Sequence, residues 1–140
     1  MSKVFLDTNI LVYASDQDVP RKQKTAKEIL KKHALDAVIS TQVVQEYYVS
    51  VTKKLGIDPH QAKTIIATFE GFEIIPVLLG DIYRAVDATI LWKVSFWDGL
   101  IITMAEKANC SLLLSEDLNS GQTYGSVTVQ NPFVGYMGNL

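Results

Sequence analysis

At 140 residues the chain fits one domain with a substantial core, and a composition 48% apolar and only 20% charged excludes a disordered chain. A net charge of −2 gives no global argument for a nucleic-acid partner, although six of the thirteen basic residues crowd between Arg21 and Lys32. Cys110 is the only cysteine, which excludes an intrachain disulfide, and no apolar run nears the roughly 18 residues of a membrane span.

The first residues lack a basic segment followed by a long apolar run, so a cytoplasmic protein is expected. Residues 4–6 read as a short strand that delivers Asp7 to its carboxyl tip, with Thr8 or Asn9 capping an apolar helix over residues 10–14. Taken alone, Asp7 could equally be the helix cap. After a loop over residues 15–20, a helix over 21–35 places Ala26, Ile29, Leu30, His33 and Ala34 on one face. Lys24, Glu28, Lys31 and Lys32 lie largely opposite, a face that either meets a polyanion or is simply solvated. His33, on the apolar side, reads as a packed histidine rather than a ligand.

Residues 37–39 form a second strand, and Ser40 or Thr41 caps a helix over 42–55 that Gly56 and Pro59 stop. Val43, Val44, Tyr47, Val51 and Leu55 make its apolar arc. Glu46 falls at the border of that arc, as a rim ion pair or as a group facing a cleft beside the core. Asp58 and Pro59 open the next helix, through residue 68, and Gly71 ends it. Residues 72–78 are strand-like, but Pro76 lacks a ladder donor, which predicts an edge. Asp81 is expected to cap a helix over 82–92.

Ser95, Phe96, Trp97 and Asp98 form a capping-box pattern opening a helix over 96–107, which Asn109 ends. Residues 111–114 are an apolar strand closed by Ser115, Glu116 and Asp117. A turn-rich loop at 118–121, a last strand at 127–129 and an irregular tail over 131–140 complete the chain. Cys110 sits in an apolar stretch and reads as a small buried hydrophobe. Strands alternating with helices predict one α/β domain over residues 1–140: a parallel sheet of about five strands, helices on both faces, right-handed crossovers.

In such a sheet, strand C-termini and the helix N-termini that follow share one edge, where ligands bind. Asp7, Glu46, Asp98 and Asp117, with Glu116 beside the last, are all expected there. Two anions about 4 Å apart repel by roughly 4 kcal/mol at an effective dielectric near 20, so the cluster needs a neutraliser. No Lys or Arg lies within two positions of any of the four. Oxygen ligands without Cys or a suitable His pair suit Mg²⁺ or Mn²⁺ rather than zinc.

These residues resemble the PIN-domain family, and within it the small VapC-like toxins. The run from Val4 through Asp7, Thr8 and Asn9 to Tyr13 is similar to the family's opening motif. Gln45-Glu46, Phe96-Trp97-Asp98 and Ser115-Glu116-Asp117 are similar to the second, third and fourth acidic positions; at the fourth the family usually has Thr or Ser, any residue, then Asp. The resemblance implies that Asp7, Glu46, Asp98 and Asp117 bind Mg²⁺ or Mn²⁺ and are catalytic, that Asn9 and Ser115 support them by hydrogen bonds, with Thr8 beside them, and that the protein is commonly a homodimer. Whether Glu116 or Asp117 faces the metal stays open.

The expected function is therefore a metal-dependent endoribonuclease cleaving RNA phosphodiesters, as the toxin component of a type II toxin–antitoxin pair with an antitoxin protein as partner. The alternative is a non-catalytic RNA-binding or scaffold protein with a PIN fold; loss of two acids would have favoured it. A receiver or phosphatase domain is disfavoured, because Asn9 stands where a second Asp would be needed. Lys24, Lys27 and Lys31 are the candidate RNA contacts, since an acidic site repels RNA unless cations surround it.

Overall fold

Val4, Phe5 and Leu6 are all buried although neighbouring side chains on a strand point to opposite faces, so both faces of this strand are covered. The computed structural model describes residues 2–134. In it, this strand, β1 (Lys3–Leu6), lies inside a six-stranded sheet with α1 (Thr8–Ala14) and α2 (Pro20–Lys32) after it. Then come β2 (Ala37–Ser40), α3 (Thr41–Lys53), α4 (Pro59–Thr68), β3 (Glu73–Ile75), α5 (Leu79–Trp92), α6 (Phe96–Lys107), β4 (Cys110–Leu114), β5 (Thr123–Tyr124) and β6 (Val127–Gln130).

The sheet order is β3-β2-β1-β4-β6-β5. All pairs are parallel except β5 with β6, which pair antiparallel around Gly125, at φ 60°. The five expected strands are thus the five parallel ones, and β3 lies at an edge and stops before Pro76, as its missing donor requires. Thr123–Tyr124 was not expected as a strand: two residues carry no period.

Several boundaries differ from expectation, most by a single residue and four helix ends by more. Helix α1 starts at Thr8 because Asp7, not Thr8 or Asn9, is its cap. Helix α2 ends at Lys32, where His33 turns out of helical geometry and its ring Nδ1 meets Asp36 at 3.0 Å. His33 is buried as expected, whereas Ala34 is exposed and Leu35 is 99% exposed. Helix α3 ends at Lys53 rather than Leu55. Helix α5 starts at Leu79: Asp81 lies inside the first turn, accepts from the Leu78 N–H at 2.8 Å and pairs with Lys107 at 2.9 Å.

The core runs from β1 and β2 to Tyr47, Ile101, Ile102 and Met104. Cys110 is buried within it, which pushes its thiol up to about 12 and leaves it unreactive. Residues 131–134 form a turn, and the rest of the expected tail lies outside the described residues. No single helix among the described residues is long and apolar enough to cross a membrane.

Candidate active site

Parallel strands β1 and β4 are neighbours, so the segments leaving them emerge at one edge. Asp7 directly follows β1, and Ser115, Glu116 and Asp117 directly follow β4. Glu46 is in the second turn of α3, which leaves the adjacent β2. Asp98 is in the first turn of α6, where Ser95 caps the helix by accepting from the Asp98 N–H at 3.1 Å. Asp7, Glu46, Asp98 and Asp117 all line one cleft of about 940 Å³.

Hydroxyl and amide donors hold three of these acids in place. Ser115 Oγ donates to Asp7 Oδ2 at 2.6 Å and accepts from the Asp117 N–H at 3.1 Å. The Thr8 N–H donates to Asp7 Oδ1 at 2.7 Å, and Thr8 Oγ1 donates to Glu46 Oε1 at 2.7 Å. Asn9 Nδ2 donates to Asp117 Oδ2 at 3.2 Å, while its Oδ1 accepts from the Glu116 N–H at 3.4 Å. Asp7 therefore caps α1 and lines the cleft at once; the two readings of this residue do not exclude each other.

Burial dominates the electrostatics of Asp7 and pushes its carboxyl up to about 7. The Ser115 and Thr8 hydrogen bonds act against that rise, and the charges of Asp117 and Glu46 add to it. Asp98 is also raised, first by burial and then by Asp117 and Glu46. Among the described residues, no ion pair joins Asp7, Glu46, Asp98 or Asp117 to a basic side chain.

No group of three such residues closes into a metal cage among the described residues. The donor set still fits a hard cation: Mg²⁺ is usually held by one or two carboxylates and keeps several waters, so it needs no closed protein cage. Mutually repelling, partly desolvated carboxylates without basic partners are what such a cation relieves.

Glu116 turns to different partners. Its carboxylate accepts from the Tyr13 hydroxyl at 2.7 Å and pairs with Lys22, whose ammonium lies 4.6 Å from the Tyr13 ring centroid. Lys22 is thus the basic residue of α2 bound to the cleft rim. At about 100° per residue, Lys24, Lys27 and Lys31 lie about 200°, 140° and 180° round the helix from it. Those three line a separate shallow groove with Pro20, Gln23 and Glu28.

Several further residues line the cleft that were not anticipated as part of the site, among them Tyr13, Asp16, Asp18, Gln42, Lys54 and Trp97. Gln42 stands four residues before Glu46 on the same face of α3, a spacing that could have pointed to it.

Fold and site together define a parallel α/β protein with an acidic cleft at the carboxyl edge of its sheet. A sequence model of the PIN domain matches residues 4–124, and the chain belongs to this family of nucleases. Its fold is similar to that of VapC20 from Mycobacterium tuberculosis, a sarcin–ricin loop cleaving toxin, at 16% identity and TM-score 0.69 over 82% of this chain and 90% of that one. A toxin–antitoxin complex from Klebsiella pneumoniae contains a chain at 23% identity and TM-score 0.69, covering 94% and 98%. DNA-bound VapBC from Salmonella typhimurium contains one at 15% identity and TM-score 0.68, covering 93% and 98%. No curated protein sequence matches the chain.

Proposed function

We propose that this protein is a Mg²⁺- or Mn²⁺-dependent endoribonuclease and the toxin component of a type II toxin–antitoxin system. The observation that carries the reading is that Asp7, Glu46, Asp98 and Asp117, from four separate segments, meet in one cleft and that none of them has an ion-pair partner among the described residues. Asp7, Glu46, Asp98 and Asp117 would hold the cation. Bound there, it would polarise a phosphodiester and make water a competent nucleophile.

The protein's own contribution is orientation and proton handling. Ser115 and the Thr8 N–H each hold one oxygen of Asp7, and the Thr8 hydroxyl holds one oxygen of Glu46. Asn9 and the Ser115 hydroxyl fix the segment carrying Asp117. One of the four acids takes the proton released by the attacking water. Glu116, tied to Tyr13 and Lys22, stays out of this set.

The proposed partners are RNA, an antitoxin protein and a second copy of the chain, in the cytoplasm. Support for a protein partner comes from α5, where Leu79, Ile82, Tyr83, Val86 and Ile90 repeat at helical spacing and are all exposed. The test is cleavage of RNA with Mg²⁺ or Mn²⁺ by the wild type and by Asp98→Asn. The wild type cuts, and the variant keeps its fold and does not cut. Equal rates would refute the assignment.

A further inference from the structure

Helix starts carry three of the four acids: Asp7 caps α1, and Glu46 and Asp98 stand in early turns of α3 and α6. Asp117 is exposed and lies between β4 and β5, in a stretch with neither helix nor strand. Among the described residues its carboxylate accepts one hydrogen bond, from Asn9 at 3.2 Å. The residue before it is held by more partners. Glu116 accepts from the Tyr13 hydroxyl of α1 at 2.7 Å and pairs with Lys22 of α2. The Lys22 ammonium also donates to that hydroxyl at 3.2 Å and lies over the Tyr13 and Phe133 rings, 4.6 Å and 5.6 Å from their centroids. The two rings meet edge to face, 4.9 Å apart, and in the turn after β6 the Phe133 N–H donates to Asn131 Oδ1 at 2.9 Å. A cation within about 6 Å of a ring face is attracted to it, so more than an ion pair keeps Lys22 in place.

We propose that Tyr13, Lys22 and Phe133 clamp Glu116 and thereby orient Asp117 towards the cation, which makes these four positioning residues and not ligands. Adjacent side chains share a peptide, so anchoring Glu116 sets the direction in which Asp117 leaves the chain. Asn9 completes the link: its Oδ1 accepts from the Glu116 N–H at 3.4 Å, and its Nδ2 donates to the Asp117 carboxylate. The inference rests on the metal-binding part of the nuclease reading and deepens it with residues outside the acid quartet.

Charge alone and the clamp predict opposite signs. Removing the Lys22 cation beside an acidic site should, by Coulomb attraction alone, tighten binding of a dication. The clamp requires binding to weaken. Mn²⁺ affinity is measured by titration calorimetry on the intact chain, beside the melting temperature of the metal-free protein. Lys22→Met, which keeps most of the stem between the rings, and Glu116→Ala each weaken Mn²⁺ binding roughly tenfold or more, as loss of an outer partner of a metal ligand does. Tyr13→Phe shows part of that loss. Lys22→Arg keeps the charge and Glu116→Gln keeps an acceptor for both partners, so both bind Mn²⁺ much as the wild type does. Without metal all five melt within about 4 °C of the wild type, because the Lys22–Glu116 pair is partly exposed.

Unchanged or tighter Mn²⁺ binding by Lys22→Met overturns the clamp. A lower metal-free melting temperature with unchanged Mn²⁺ affinity also overturns it and leaves a rim contact that only ties α2 to the sheet. A loss in Glu116→Gln equal to that in Glu116→Ala makes Glu116 a ligand and overturns it too. RNA cleavage with Mn²⁺ is followed in parallel. A wild type that binds Mn²⁺ and does not cut refutes the nuclease reading and leaves the clamp to be decided by the variants' affinities. A wild type that binds no Mn²⁺ overturns both.

Discussion

The Ser115 hydroxyl donates to Asp7 Oδ2 at 2.6 Å and accepts the Asp117 N–H at 3.1 Å, so one buried side chain ties the acid after β1 to the acid after β4. Replacing it by Ala strands a buried carboxyl oxygen and a partly buried N–H. Ser115→Ala should cost about 1–3 kcal/mol of stability, lowering the melting temperature by several degrees. Because this bond holds the Asp7 carboxyl down, the variant should also titrate Asp7 at a higher pH. Thermal unfolding as a function of pH reads both effects; an unchanged curve would show that Ser115 does not support the site.

The Asp7 carboxyl sits at about 7 in the folded protein against 3.8 in an ordinary carboxylate. Between these values the folded chain holds a proton that the unfolded chain releases. The contribution is present in full below the lower value and is lost as pH rises through about 7, amounting to about 4 kcal/mol in the metal-free protein. A cation competes with that proton. Mn²⁺ should therefore raise the melting temperature more at about pH 8 than at about pH 5. Equal gains at the two pH values would separate Asp7 from the metal.

Asp7→Asn follows from the same physics. The amide keeps the shape and removes the desolvated charge. The metal-free variant should melt higher than wild type at about pH 8, lose the Mn²⁺ gain and cut no RNA. Calorimetry with and without Mn²⁺, beside a cleavage assay, checks all three. A variant destabilised at that pH would mean that Asp7 stabilises the fold as a carboxylate.

Asp117 and Glu116 separate by their partners. Asp117 is held by Asn9 within the cleft, while Glu116 is held by Tyr13 and Lys22. Asp117→Asn should remove most of the activity. Glu116→Gln should retain most of it and change stability by at most about 1 kcal/mol, as for other partly exposed pairs. The reverse ranking in a cleavage assay would move the fourth ligand by one residue.

The acidic edge was legible because its carriers are local: a strand tip, two capped helix starts and a strand exit are each marked by a few consecutive residues. Ser95 before Asp98 and Ser40 before Glu46 announce helices whose early turns point to the strand edge. Other features depend on tertiary contact. Thr123–Tyr124 becomes a strand only because β6 is there to pair with it. Helix α5 starts early because the Asp81 carboxylate reaches back to Leu78 and across to Lys107. Gln42 donates to the Trp97 carbonyl, 55 positions away, a contact no local pattern encodes. Lys22 parted from the basic run only when Glu116 and Tyr13 stood beside it.

That separation shapes the expectation for RNA binding. Lys24, Lys27 and Lys31 line their own groove, so they meet phosphates only where a strand continues from the cleft round α2. Each contact lowers the slope of log affinity against log salt by about 0.7 for single strands, so three contacts give about 2. Reversing all three to Glu should flatten the salt slope for a long RNA by about that amount. It should leave the slope for a short oligonucleotide confined to the cleft unchanged, and leave the cut position the same for both, because phosphate contacts carry no base information. Affinity measured across a salt series with the two lengths decides it. A flattened slope for the short oligonucleotide would place these lysines at the cleft itself, and superimposable lines for both lengths would show a solvated face.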